Sequence, residues 1–165
     1  MNTSPFHRSD DMNKIFIKKT PNADTRSMKE LDKTLVRMDT VNHIAGVKDV
    51  MSELGEMMKA KGRAHDITKL RFFPEFFRDL STKKTGDEFK KLPWWKMHLI
   101  ERHHLNDRCP ADVNLLDVIE MLVDGVCAGK ARTGTVYPIE LSNEMLQKAL
   151  YNTQKMLEKN IEVWN

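Results

Sequence analysis

The stretch from Asp112 to Gly129 reads DVNLLDVIEMLVDGVCAG and is the most apolar segment of the chain. It reads as a helix, and as the central one, because its apolar positions encircle the axis too widely for a surface location. Yet it carries three acids. Asp117 and Asp124 are seven residues apart, about two turns, so they share a face, with Glu120 nearly on it. A buried carboxylate without a partner is costly. Either this face is solvated and the acids are ordinary surface charges, or a metal, a histidine or an arginine offsets the cost.

Working outward, histidines supply a candidate partner. Five of the six fall between residues 43 and 104: His43, His65, His98, His103 and His104. His65 is followed at once by Asp66. Imidazole and carboxylate are the usual ligands of first-row transition metals, and a mixed site that keeps one position open is usually catalytic rather than structural.

The flanking segments read as further helices. Asp39 or Thr40 caps a helix running to about Lys61, with Ile44, Val47, Val50, Met51, Leu54, Met57 and Met58 as its apolar stripe. His43 lies at the edge of that stripe and is expected to point inward. Gly62 is expected to close the helix. Residues 28 to 36 suggest a first short helix, and Pro74 interrupts or restarts a helix after His65-Asp66. FFPEFF reads as core and loop packing, and STKKTGDEFKK as a solvated loop. Pro93 suits the first turn of PWWKMHLIERHHL, where Trp94 and Trp95 either fix the helix start or place a ring against a base. NDRCPAD is a turn. Ser142 caps a last amphipathic helix with Met145, Leu146, Ala149, Leu150, Met156 and Leu157 on its inner face. Residues 1–27 read as an irregular arm, its IFI strip docked on the body, and 28–165 as one helical domain. No convincing set of alternating strands exists, so the expected fold is an all-α, single-domain bundle.

Bulk properties narrow the function. At 40% hydrophobic and 31% charged residues, the composition is that of a globular chain with a real core. The eleven methionines are mostly core filler. A net charge of +3 is too small to suggest a nucleic-acid coat protein, so no stable nucleic-acid complex is expected. No run of about 18 apolar residues marks a membrane span, and the first residues lack the apolar stretch of a secretory signal. Cys109 and Cys127 form no disulfide framework, so a reduced, cytoplasmic setting is the default, the host cytoplasm if the chain is phage-encoded.

The order His43, His65-Asp66, Asp124 resembles the HD superfamily of metal-dependent phosphohydrolases, named for a His…His-Asp…Asp ligand set. The segment from His65 through Lys69 is similar to the HD-x-x-K form of cyclic-dinucleotide phosphodiesterases, and Val123-Asp124-Gly125-Val126 is similar to the last ligand helix of bacterial 5′-deoxynucleotidases of that superfamily. The likeness covers roughly residues 40 to 130. The whole chain also resembles small uncharacterised phage and bacterial proteins. After His103-His104 the chain reads LNDRCP, so the GYP portion of the cyclic-di-GMP enzymes is missing.

The resemblance implies a helical bundle of the HD type and one or two divalent ions (Mn, Co, Fe, Mg, Ni or Zn). His43, His65, Asp66 and Asp124 would hold one ion, with Asp117 competing with Asp124 as last ligand. His98, His103 and His104 would hold a second ion or bind the scissile phosphate. Lys69 would neutralise phosphate charge in the transition state. Asp66 would act in catalysis as well as in ligation, and Glu120 or Asp117 would orient water or a histidine ligand. Arg63, Arg71, Arg102, Arg108, Lys130 and Arg132 flank these segments and suit phosphate oxygens. The expected reaction is hydrolysis of a phosphate ester or anhydride in a (deoxy)nucleoside mono- or triphosphate by metal-activated water. Alternatives are a cyclic-nucleotide or oligonucleotide signal phosphodiesterase, an HD-type di-iron oxygenase, a non-catalytic nucleotide binder and a structural zinc protein. An apolar helix face leaves a homo-oligomer open.

Overall fold

The computed structural model describes residues 12–26 and 31–165. The arm assigned to residues 1–27 and the short helix assigned to 28–36 therefore fall partly outside the described residues; residues 33–36 open the long first helix, which starts at Lys33 rather than at a cap on Asp39 or Thr40. Helices dominate: α1 (Lys33–Ala64), α2 (Ile67–Arg71), α3 (Phe73–Leu80), α4 (Gly86–Lys90), α5 (Pro93–His98), α6 (Leu115–Arg132) and α7 (Asn143–Asn160). The described residues divide into two compact units, one of those up to Ala60 with Gln154–Asn165, the other Lys61–Thr153. No helix among the described residues is long and apolar enough to cross a membrane.

In the first unit the IFI strip is a strand, β1 (Ile15–Lys18), and pairs in parallel with β2 (Ile161–Trp164) in the register Ile15 to Ile161. The second strand was not expected; residues 161–164 (IEVW) are β-favouring and follow the last helix directly. The Ile17 side chain lies against Gly46 of α1, where an added Cβ would come within 3.1 Å of it. The α1 stripe is only partly covered. Met57 is buried and Leu54 half-buried, whereas Ile44, Val47 and Met51 are exposed. Two four-residue strands and the end of α7 are too little surface to cover so long a helix. His43 is likewise exposed, not inward-pointing. It lines a cavity of about 240 Å³ with Ile17, Val50, Leu54 and Leu157.

The second unit contains the core. Leu105, Val113, Val118 and Ala149 form its buried centre, with Leu115, Met121, Leu141 and Met145 packed around them. α6 begins at a capping box. The Asn114 side chain accepts from Leu116 N and Asp117 N, and the Asp117 carboxylate accepts from Asn114 N. α7 begins at Ser142, whose Oγ accepts from Met145 N at 3.2 Å. The expected inner face of α7 is mixed: Ala149 is buried, but Leu150 is exposed. α6 is not central along its whole length. Leu116, Asp117 and Val118 are buried, whereas Ile119, Leu122, Val123 and Val126 are exposed.

Three local differences from the sequence reading bear on the site. Gly62 does not stop α1; the helix runs to Ala64 and ends where Asp66 adopts φ 57°, a left-handed conformation that terminates helices. Asp is one of the few non-glycine residues found there with any frequency. Pro74 restarts the chain in the first turn of α3, but Phe73 and Phe77 are exposed and stack on each other, while Phe76 packs on Trp94 at 4.4 Å. Pro93 starts α5 as expected, yet α5 stops at His98. Residues 99–105 fold back in tight turns through Ile100 N to Met97 O and Glu101 N to His98 O, which turns His103 and His104 toward His98.

Candidate metal centre

Four elements of the second unit converge: the turn after α1 with His65 and Asp66, the end of α5 with His98, the following turns with His103 and His104, and the middle of α6 with Glu120 and Asp124. Two groups have ligand atoms all within 4.8 Å of one another. One is Asp66, His98, His103 and His104; the other is His65, His103 and Asp124. His103 belongs to both.

Distances within the first group are those of a ligand set. His98 Nε2 and His104 Nε2 face each other at 2.8 Å. Asp66 Oδ1 lies 3.4 Å from His98 Nε2 and 3.8 Å from His103 Nε2. Two nitrogens on one ion at about 2.1 Å sit roughly 3.0–3.4 Å apart at octahedral or tetrahedral angles, so small shifts would seat a cation. In the second group His65 Nε2 is 3.4 Å from Asp124 Oδ1, and 3.7 Å from Asp66 Oδ2. The backs of these histidines are held. Glu120 Oε1 faces His65 Nδ1 at 3.2 Å, and Glu120 Oε2 accepts from Lys61 Nζ at 3.3 Å. Such a carboxylate on the far ring nitrogen is the usual support of a metal-binding histidine.

Buried polar atoms normally have partners. Here Asp66 Oδ1 and both ring nitrogens of His103 are buried without a hydrogen-bond partner. The groups nearest His103 are carboxylates, Glu120 Oε1 at 3.4 Å from Nδ1 and Asp66 Oδ1 at 3.8 Å from Nε2, and such ligand atoms in the middle of an imidazole–carboxylate cluster fit a cation.

The charge states follow the same pattern. Burial, then the charge of neighbouring His104, pushes His98 down to about 3. Burial, then His103, pushes His104 down to about 4. Both rings are therefore neutral and keep a lone pair for a ligand. His65 goes the other way, raised to about 10 by Asp124 first and Glu120 second. Hydrogen bonding to His65 holds Asp124 below the usual carboxylate range. Burial opposes ionisation of Glu120, but His103, His65 and Lys61 outweigh it and hold its carboxyl low.

One side of the cluster is closed. Trp94 stacks on His98 with ring centroids 4.5 Å apart, and Trp95 packs on His104 at 4.9 Å. The other side is partly open, through His65, Asp124, Asp66 and Lys69, whose side chains are 25%, 32%, 23% and 27% exposed. The tryptophans thus wall the histidines as well as starting α5.

The residues expected from sequence divide. His65, Asp66, His98, His103, His104, Glu120 and Asp124 come together, and Lys69 joins them by an ion pair to Asp66. His43 does not. It stands within the unbroken α1, in the first unit, and neither ligand group contains it. Asp117 is fully buried, but its oxygens are taken by Lys61 Nζ at 2.7 Å and by the Arg102 fork at 2.9 and 2.8 Å. Arg102 is thereby committed to Asp117, and to Asp112 at 3.0 Å, rather than to a substrate phosphate. Arg63, Arg71, Arg108, Lys130 and Arg132 are exposed and belong to neither group. Sequence reasoning missed Glu101, Thr68 and Lys61, which support the ligands from behind. The pairing of residues in the 60s with residues near 100 and 120 leaves no trace in local spacing. No protein-family model, curated protein or solved structure matches this chain.

Proposed function

We propose that this chain is a metal-dependent hydrolase of the HD type that cleaves a phosphate ester or anhydride in a nucleotide. The observation that carries the reading is His103: a buried imidazole facing carboxylates on both ring nitrogens, Glu120 Oε1 at 3.4 Å and Asp66 Oδ1 at 3.8 Å, and shared between two groups of potential ligands. His65, His103 and Asp124, and Asp66 with His98, His103 and His104, would hold one or two divalent ions. A bound divalent ion supplies two things here, a water of lowered pKa and polarisation of a phosphoryl oxygen. Glu120 keeps the His65 ring oriented with Nε2 toward Asp124. Lys69, beside Asp66 on the open side, offers an ammonium to a phosphate oxygen as charge builds there. Trp94 and Trp95 exclude water from behind the histidines. With His43 outside the cluster, His103 takes the place that the His…His-Asp…Asp pattern reserves for the upstream histidine.

The test is metal content of the purified protein, followed by a screen for phosphate and nucleoside release. Mono-, tri- and cyclic nucleotides are offered with Mn²⁺, Co²⁺, Mg²⁺ and Zn²⁺. The expected result is metal-dependent turnover that His103→Ala and Asp66→Ala abolish while circular dichroism is retained. Stoichiometric iron, oxygen uptake and no product from any nucleotide would move the protein to the oxygenase class.

A further inference from the structure

We infer that Glu101, acting through the Thr68 hydroxyl, is a positioning residue that sets the proton of His98 on Nδ1 and so keeps its Nε2 lone pair facing the cluster. This rests on the metal-centre reading above and deepens it. Glu101 Oε2 accepts from Asp66 N at 2.7 Å, and Oε1 accepts from Thr68 N at 2.9 Å. Oε1 also accepts from Thr68 Oγ1 at 2.5 Å. The same Thr68 oxygen lies 2.5 Å from His98 Nδ1. Both carboxylate oxygens are therefore already engaged by N–H groups, which can only donate, and a hydroxyl has one proton to give. The Thr68 proton goes to Glu101, so the hydroxyl oxygen must accept from His98. A neutral imidazole carries one ring proton; with it on Nδ1, Nε2 is bare and lies 2.8 Å from His104 Nε2 and 3.4 Å from Asp66 Oδ1.

The relay is built into the interior. Thr68 and His98 are fully buried, and the Glu101 side chain is 9% exposed. Glu101 has a second grip on the site. Its bond from Asp66 N holds a residue in the left-handed backbone region, which side chains other than glycine enter only at a cost. One carboxylate thus fixes the turn that presents Asp66 and the tautomer that presents His98, a carboxylate–hydroxyl–imidazole version of the outer support that tunes metal ligands.

The experiment compares Thr68→Val, Thr68→Ser and Glu101→Gln with the parent chain. Nitrogen-15 NMR of the metal-free protein should report His98 as the Nδ1–H tautomer in the parent and in Thr68→Ser, and a changed tautomer population in Thr68→Val. Co²⁺ titration followed by its visible spectrum should show affinity weakened roughly 10–100-fold in Thr68→Val and Glu101→Gln, with parent-like affinity in Thr68→Ser. An Nε2–H tautomer in the parent, or parent-like Co²⁺ binding by Thr68→Val, overturns the inference. A parent chain that binds no Co²⁺ sinks the metal centre instead, and the NMR arm still decides the relay.

Discussion

Two turns of the same helix handle buried charge in opposite ways. At the start of α6, Asp117 is fully buried and saturated: Lys61, the Arg102 fork and Asn114 N together occupy both its oxygens. Further along, Asp124 meets the His65 imidazole, while Glu120 and Asp66 each face imidazoles as well as a lysine, and Asp66 Oδ1 and the His103 nitrogens are buried without a hydrogen bond. The first cluster is closed and has nothing left to bind. The second is held in place from behind, by Glu120, Glu101 and the two tryptophans, and is unsatisfied in front. The same residue type thus sits in a closed ion network where it is fully buried, and beside histidines that could hold a cation where it is 32% exposed. At Asp117 an ammonium and a guanidinium saturate the carboxylate, whereas at Asp124 the partner is an imidazole.

The largest expected effect breaks the closed cluster. Asp117→Asn leaves the buried Lys61 and Arg102 short of their counter-ion and should cost about 3–5 kcal/mol of stability, read by urea unfolding. A loss under about 1 kcal/mol would mean that the network is not the fixed half of the contrast. Asp124→Asn should behave in the reverse sense. Stability should change by about 1 kcal/mol or less, as for a partly exposed ion pair, while Mn²⁺ or Co²⁺ affinity falls at least ~10-fold. Isothermal titration on both variants places the two effects side by side.

The smallest effect sharpens the comparison through pH. His65 is raised from 6.5 to about 10. Its pairing therefore stabilises the metal-free fold fully below about pH 6.5, and that stability is lost as pH rises toward 10. Asp124 is lowered from 3.8, so its contribution is present above about pH 3.8 and is lost as pH falls through its depressed value. The pair thus contributes most between roughly pH 4 and 6.5. Metal binding must displace the His65 proton, so metal affinity should climb with pH over the range where metal-free stability declines. A His65→Gln variant should lose the alkaline slope in Tm; an unchanged slope would assign it to other groups.

Much of the site was legible before any fold was known. His65-Asp66, His103-His104 and the acids of α6 stood out because chemistry-bearing residues are conspicuous in apolar or helical surroundings. Helix starts at Pro93 and Ser142 were legible because their signals are local. His43 misled because stripe periodicity shows which face is apolar but not whether anything covers it, and α1 leaves Ile44, Val47 and Met51 exposed beside it. Arg102 misled because proximity in sequence to a ligand segment does not reveal that a carboxylate fifteen residues away already holds it.

The amino-acid sequence by itself determined the helical class, the helix starts at Pro93 and Ser142, and an inventory of imidazoles and carboxylates suited to a cation. Those follow from period, capping chemistry and residue type, all of which act over a few residues. Only the tertiary structure decided that Asp117 is neutralised while Asp124 faces His65, that His103 is shared by two ligand groups, and that Glu101 reaches back to Asp66 and Thr68. These depend on which distant side chain arrives at each buried oxygen or nitrogen, and that is set when α5 stops at His98 and the chain folds back, not by any spacing along it.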